Sequence, residues 1–230
     1  MKWAAYAWLT GFVLLVSFLV IASTEASDQV DPTRMSFWSL FSFHLLILIF
    51  LAGWWLLAGR PDLAAFFNLQ LDRAGESILI GLAVGVAGWF VTIGLALLAG
   101  MILTAAGWSP EDFSPSPMIP WMAGLAPWRK ALIVLSAMTV EELFFRGWLQ
   151  KRVGLIASTI VFAVAHAGYG QPFMLIGVTL ISLVIGATFY YTRRLLPCII
   201  AHGVFDAIQL FVVVPLALKF APQMKSVALM

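Results

Sequence analysis

The chain has few charged residues and a single cysteine. Of its 230 residues, 10% are charged and 62% are hydrophobic, whereas a soluble domain typically has about 25% charged residues. Cys198 alone excludes an internal disulfide framework and a multi-cysteine metal site, and we interpret it as a small buried hydrophobe. The period-two alternation of a membrane β-barrel is absent. No basic tract suggests nucleic acid as a partner, so an all-α membrane protein is the class that remains.

Apolar stretches that reach or approach the ~20 residues needed to span a bilayer recur along the whole chain. We predict a polytopic transmembrane helix bundle of about seven (seven or eight) spans with the active site inside the membrane. The third span is long, so it is either tilted or followed by an interfacial turn. The chain would form one integral membrane domain, residues 1–230, with N-terminal spans within 1–106. Met1–Ala26 could pass for a signal peptide, but its apolar run is long, so we interpret it as the first span. The predicted spans are Trp3–Ala22, Phe37–Ala58, Ser77–Ala106, Arg129–Gln150, Gly154–Ala167, Phe173–Thr192 and Leu196–Leu218.

Charges in the connecting stretches indicate an orientation. If the spans alternate, most basic connections fall on one side and the acidic ones on the other, so the positive-inside rule predicts a cytoplasmic N-terminus and an outside C-terminus. Arg129, Lys130, Lys219 and Lys225 fall on the opposite side from the other basic residues. The basic side has Lys2, Arg60, Arg73, Lys151, Arg152, Arg193 and Arg194, and the acidic side has Glu25, Asp28, Asp31, Glu111 and Asp112.

Two further features concern packing. Gly81 and Gly85 have the small-xxx-small spacing that allows helices to approach closely. The proline- and tryptophan-rich segment 107–128 cannot form a continuous helix, and we expect an interfacial loop there.

Six ionisable residues lie inside the predicted spans rather than between them. A charge at membrane depth costs ~2.5–3.5 kcal/mol on insertion scales and usually marks function. The six residues are candidates for a functional site within the membrane. They are Glu141, Glu142, Arg146, His166, His202 and Asp206.

The segment Glu141–Arg146 is the strongest of these signals. On a helix Glu142 and Arg146 are i, i+4 neighbours and can pair directly. Glu141 points about 100° away from Glu142, so it is left without that partner. An unpaired carboxylate in a low-dielectric site is a candidate general base. A purely structural ion-pair network would explain Glu142 and Arg146 but not Glu141.

Three histidines also lie at membrane depth. His202 and Asp206 are i, i+4 neighbours on the last span, and His166 follows Phe162 by four. At ~1.5 Å per residue, Glu141, His166 and His202 lie about 15, 20 and 12 Å from the basic ends of their helices, so they can converge near mid-membrane. We interpret His44, in the second span, as a packing or hydrogen-bonding residue.

Three motifs occur in order on the fourth, fifth and seventh predicted spans: E-E-x-x-x-R (Glu141 to Arg146), F-x-x-x-H (Phe162 to His166) and H-x-x-x-[ND] (His202 to Asp206). This pattern resembles the CPBP intramembrane endopeptidases, which include the CAAX prenyl proteases and bacterial members labelled abortive-infection or bacteriocin-immunity proteins. The resemblance covers roughly Lys130–Ala207 and implies that 129–218 form a catalytic core. It also implies a location in the inner membrane of a bacterium.

The resemblance implies a role for each candidate. Glu141 would activate a water, and His166 would position that water or move its proton. Glu142 and Arg146 would brace the site, while His202 and the residue at 206 would stabilise an oxyanion. The family more often has asparagine at 206, so Asp206 would either donate as a protonated acid, orient His202, accept a hydrogen bond or bind a cation.

Cofactor and substrate follow from the same resemblance. The family is regarded as metal-free, so we expect no cofactor, with zinc held by Glu141, His166 and His202 as the alternative. The predicted function is hydrolysis of a peptide bond in or next to the membrane, near the C-terminus of a membrane-anchored or hydrophobic peptide substrate. A non-catalytic scaffold or immunity protein and a small proton-coupled transporter are the alternatives.

Overall fold

A computed structural model describes residues 2–26, 36–108, 117–167 and 172–227, and these ranges contain helices and no strands. The all-α prediction is therefore confirmed for this part of the chain. Several residues that entered the predictions of orientation and of an interfacial loop lie outside the described ranges. These are Asp28, Asp31, Pro110, Glu111, Asp112 and Pro115.

The helices follow one another with short connections. In chain order they are α1 (Lys2–Ala26), a 3₁₀ helix (Phe37–Phe41), α2 (Ser42–Leu57), α3 (Leu63–Phe67), α4 (Ala74–Ala105), α5 (Met118–Ala123), α6 (Pro127–Ser136), the π-helical segments π1 (Ala137–Glu141) and π2 (Leu143–Gln150), α7 (Lys151–Ala165), α8 (Pro172–Thr192), α9 (Leu196–Ala207), π3 (Ile208–Val213) and α10 (Val214–Val227).

Every predicted span coincides with a helical stretch, but not every stretch meets the length of a span. Four do so by length and composition, namely Phe37–Leu57, Ala74–Ala105, Met174–Thr192 and Leu196–Phe220. A shorter apolar helix covers Trp3–Leu19. These helices fit an integral membrane protein. The count of seven and the orientation stay predictions.

Helix α4 packs directly along α9, and glycines make this possible. A Cβ atom added at Gly85 would lie 2.6 Å from the Cβ of Val204 and 2.9 Å from the carbonyl oxygen of Ala201. One added at Gly81 would lie 2.5 Å from the Cβ of Ile200. The close approach predicted from the small-xxx-small spacing is confirmed, and it fixes the height of α9 against the bundle.

Aromatic residues fill the core between the first two helices and π2. The rings of Phe50 and Trp148 meet edge to face at 4.9 Å, and Phe144 stacks on Trp148 at 5.5 Å. A second core lies between α8 and α9, where Cys198 is fully buried beside Ile185, as its interpretation as a small hydrophobe required. The two cores hold the helices that flank residues 137–150.

The stretch Ala137–Gln150 departs from the α-helix assumed in the sequence analysis. It is π-helical on both sides of Glu142. Segments with i→i+5 hydrogen bonds are rare and frequently mark functional sites. The rise of ~1.5 Å per residue used to estimate the depth of Glu141 holds for an α-helix only, so that depth stays a prediction. The helix continues until Gly154, whose left-handed conformation (φ 83°) breaks it before the rest of α7.

Candidate active site

Glu141 lies at the end of π1 between two histidines from different helices. Its Oε1 atom lies 3.2 Å from Nε2 of His44 on α2. Its Oε2 atom lies 3.9 Å from Nε2 of His166, just after α7. Oε2 is buried and accepts no hydrogen bond from any residue in the described ranges. The two oxygens of this carboxylate therefore have different surroundings.

His44 is the residue that the sequence analysis missed. Besides the contact with Glu141, its Nδ1 atom lies 2.7 Å from Oγ of Ser136, the last residue of α6. The position of His44 inside an apolar run was the same signal that selected the other histidines. A lone histidine in a membrane span is more often a packing or hydrogen-bonding residue than a catalyst, which is why His44 was not predicted to belong to the site. Its partners are 92 and 97 positions away in the sequence.

His166 is held by its own helix. Its Nδ1 atom lies 2.8 Å from the carbonyl oxygen of Phe162, and its ring stacks on that of Phe162 with centroids 4.4 Å apart. A carbonyl oxygen only accepts hydrogen bonds, so we assign the proton to Nδ1. In the neutral ring Nε2 is then an acceptor, and this is the nitrogen that faces Glu141.

Glu142 and Arg146 form the ion pair expected from their spacing. Nη1 of Arg146 lies 3.2 Å from Oε1 of Glu142, and both side chains are buried. Arg146 also donates from Nη2 to the carbonyl oxygen and the hydroxyl of Ser182, both at 3.1 Å. Its guanidinium lies over the ring of Phe162 at 4.9 Å. The arginine therefore ties the motif helix to α8.

His202 lies between two carboxylates. Its Nδ1 atom is 2.8 Å from Oε1 of Glu142, and its Nε2 atom is 3.3 Å from Oδ2 of Asp206. A carboxylate oxygen accepts and does not donate, so both ring nitrogens carry protons and we assign a cationic imidazolium. Asp206 thus contacts His202 as an acceptor, one of the alternatives left open for it.

The six predicted site residues come together as two adjoining groups. Glu141 faces α2 and α7, whereas Glu142 faces Arg146 and α9, so the divergence of the two carboxylates predicted from helical geometry is present. Three carboxylates, one guanidinium and one imidazolium leave one net negative charge when the other two imidazoles are neutral. The group around Glu141 therefore combines a buried carboxylate with neutral imidazoles, and the Oε2 atom of that carboxylate is left as an acceptor.

The alternative zinc set is not assembled in the described part of the chain. No group of three or more His, Cys, Asp or Glu side chains there has the spacing to hold a metal ion. His202 bonds Glu142 rather than sharing Glu141 with His166.

Fold and site together define a class: a helical integral membrane protein with a buried carboxylate and imidazole site. The comparison with protein families agrees with it. Residues 123–208 match the model of the family described as "Type II CAAX prenyl endopeptidase Rce1-like". The resemblance to CAAX-type proteases is confirmed over that segment, which contains all six predicted site residues. His44 lies outside it.

One curated relative is similar over a short region. The chain is 38% identical over 69 residues to the protein YpbD of Bacillus subtilis (strain 168), described as uncharacterised. The aligned region covers 30% of this chain and 36% of that protein, so the chain spans about a third of the length of the relative it matches. No solved structure matches the chain.

Proposed function

We propose that this protein is an intramembrane endopeptidase in which Glu141 activates a water that hydrolyses a peptide bond near the C-terminus of a membrane-anchored substrate. The observation that carries the proposal is the pairing of two acceptors, Oε2 of Glu141 and Nε2 of His166, at 3.9 Å. The match of residues 123–208 to a prenyl endopeptidase family supports the same reaction.

A water that donates to both acceptors would take one orientation. At ordinary hydrogen-bond lengths of about 2.8 Å the two acceptors subtend roughly 90° at the water oxygen, close to the angle between its two O–H bonds. Such a water donates one proton to Glu141 and the other to His166. Its lone pairs then point away from both residues, toward the space where a substrate carbonyl would lie.

The reaction proceeds in two steps. The water oxygen attacks the carbonyl carbon, its proton passes to Oε2 of Glu141, and the carbonyl oxygen becomes negative. The C–N bond then breaks, and Glu141 returns the proton to the leaving amine nitrogen. The products are a new carboxylic acid, which still carries the second proton of the water, and a new amine, and Glu141 is ionised again. The acid then loses that proton to His166 or to water and becomes a carboxylate.

His202 supplies the positive charge that the oxyanion needs. We propose that its imidazolium, held by Glu142 and Asp206, stabilises the tetrahedral intermediate. Arg146 balances the charge of Glu142 and fixes it through Ser182. The reaction needs no metal under this proposal, and activity that survives a strong chelator would support that point.

The test compares membranes that contain the wild-type protein with membranes that contain Glu141→Gln. C-terminal peptides are quantified by mass spectrometry, and the purified proteins are reconstituted with two probes. One probe ends in a farnesylated cysteine followed by three residues, and the other is an unlipidated peptide with a hydrophobic C-terminal helix.

We expect at least one truncated C-terminus that requires Glu141 and is absent with Glu141→Gln at equal protein levels. Identical peptides in both membranes, with neither probe cleaved, would contradict the proposal. Retention of the cellular function by Glu141→Gln would favour a scaffold, and proton flux lost with Glu141→Gln in vesicles would favour a transporter.

A further inference from the structure

We propose that His44 and Ser136 form a relay that positions the catalytic base, by holding one oxygen of Glu141 and leaving the other for the water. The inference rests on the proposed function for its kinetic consequences. Its structural basis is independent: Ser136 Oγ, His44 and Glu141 Oε1 are linked by contacts of 2.7 and 3.2 Å between three different helical segments.

The chemistry of the partners fixes the proton on each nitrogen of His44. Oε1 of an ionised Glu141 accepts, so Nε2 of His44 carries the proton. In the neutral ring Nδ1 is then the acceptor, and the hydroxyl of Ser136 donates to it. Each group in the chain thus has a matched donor or acceptor without a new charge in the membrane.

The relay separates the roles of the two carboxylate oxygens. Oε1 faces α2 and is occupied by His44, whereas Oε2 faces His166 on the other side. The terminal torsion of a glutamate is broad and roughly two-fold, so nothing in the side chain itself holds this orientation. Without the N–H donor of His44, the carboxylate is free to turn away from the attacking water.

The other groups around Glu141 do not replace this contact. His166 approaches Glu141 from the end of α7 and faces Oε2, on the side of the proposed reaction. His202 contacts Glu142 and Asp206 instead. The ring of Phe41, at the end of the preceding 3₁₀ helix, lies 6.4 Å from the ring of His44 and offers no proton. His44 also lies outside residues 123–208, the segment that matches the family model. The relay therefore includes a residue from a helix that precedes that segment.

A purely structural contact between α2 and π1 would predict something different. It would lower stability when removed, and the remaining folded enzyme would turn over normally. A positioning relay predicts a loss in kcat with an almost unchanged KM, because substrate binding does not involve Oε1.

The experiment uses the full chain in proteoliposomes with whichever probe peptide the wild type cleaves. His44→Phe removes both nitrogens, whereas His44→Gln keeps an N–H donor for Glu141 and a carbonyl acceptor for Ser136. Ser136→Ala removes the outer donor. Ser158→Ala is the matched control, because Ser158 is buried in α7 and its hydroxyl donates to the carbonyl oxygen of Leu155 in the same helix.

We expect kcat to fall about 10–100-fold with His44→Phe, by analogy with the loss of outer partners that orient metal ligands, with KM changed less than about threefold. His44→Gln should recover most of the loss. Ser136→Ala should cost about 3–10-fold alone and nothing further in the His44→Phe background, because the two residues act as a unit. Ser158→Ala should leave kcat unchanged.

Two results would overturn the relay: a normal kcat for folded His44→Phe, or equal losses with His44→Phe and His44→Gln. If His44→Phe does not fold, the kcat values of Ser136→Ala and His44→Gln still test the relay. An infrared readout separates the relay from the proposed function. The carboxylate band assigned to Glu141 by its loss in Glu141→Gln should shift in His44→Phe and stay in place in His44→Gln, even in a protein that cleaves neither probe.

Discussion

Two ion pairs in this protein differ in burial far more than in length, and this difference predicts the effect of breaking each. Arg146 lies 3.2 Å from Glu142, with side-chain exposures of 1% and 0%. Arg73 lies only 2.5 Å from Glu76, but these side chains are 58% and 41% exposed. We predict that Arg146→Met destabilises the protein strongly and that Arg73→Met does not.

The magnitude follows from what each arginine leaves behind. Breaking a buried pair typically costs about 3–5 kcal/mol, since the other charge stays buried without compensation. Glu142 keeps His202 as a partner at 2.8 Å, which places the expected loss near the lower end, about 3 kcal/mol. The exposed pair is worth about 0–1 kcal/mol because water and salt screen it.

The assay is reversible unfolding in mixed micelles, with helicity and tryptophan fluorescence followed as the fraction of sodium dodecyl sulfate rises. The double variant Glu142→Gln/Arg146→Met should be more stable than Arg146→Met alone, because it removes the buried negative charge that Arg146 no longer balances. Equal losses of unfolding free energy for Arg146→Met and Arg73→Met would refute the reasoning. So would a double variant that is less stable than the single one.

Two other substitutions test how α9 is placed and what Asp206 does. Asp206→Asn should keep the cleavage rate within about tenfold of wild type, because its amide oxygen still accepts from His202, whereas Asp206→Leu should lower the rate further. The rates are measured on the probe peptide with equal amounts of folded protein. Equal rates for the two variants would contradict this prediction. Gly85→Val should cost about 1–3 kcal/mol of unfolding free energy and slow cleavage, because the added side chain meets Val204 and displaces α9. Gly94→Ala, in the same helix with nothing within 4 Å of its added Cβ, should leave both unchanged, and a similar loss with both substitutions would exclude the packing explanation.

The sequence was most informative where placing a residue in the membrane costs the most free energy. Ionisable residues inside apolar runs are so unfavourable that their positions, together with the spacing of the motifs, selected six side chains. The structure brings those six into two adjoining groups. The i, i+4 spacing also predicted the partner of Arg146. Both inferences depend on helical spacing and on the low dielectric of the membrane, and the spacing and the apolar runs can be read from the sequence.

Long-range partners could not be predicted in the same way. Nothing in the residues around His44 indicates that α2 packs against π1, because that contact depends on how the aromatic core seats the two helices. The π-helical form of 137–150 was also invisible, since the residues there are compatible with an ordinary α-helix. The relay through Ser136 required both facts, so it emerges only from the folded chain.

The origin of the oxygen in the product tests the central claim most directly. A single turnover of the cleaved probe peptide, with enzyme in excess, is carried out in H₂¹⁸O and analysed by mass spectrometry. If Glu141 acts as a base on water, one ¹⁸O enters the new carboxylate of the product and none enters Glu141. A first-turnover product without ¹⁸O, together with label in the peptide that contains Glu141, would mean that this carboxylate attacks the substrate itself, and would contradict the account.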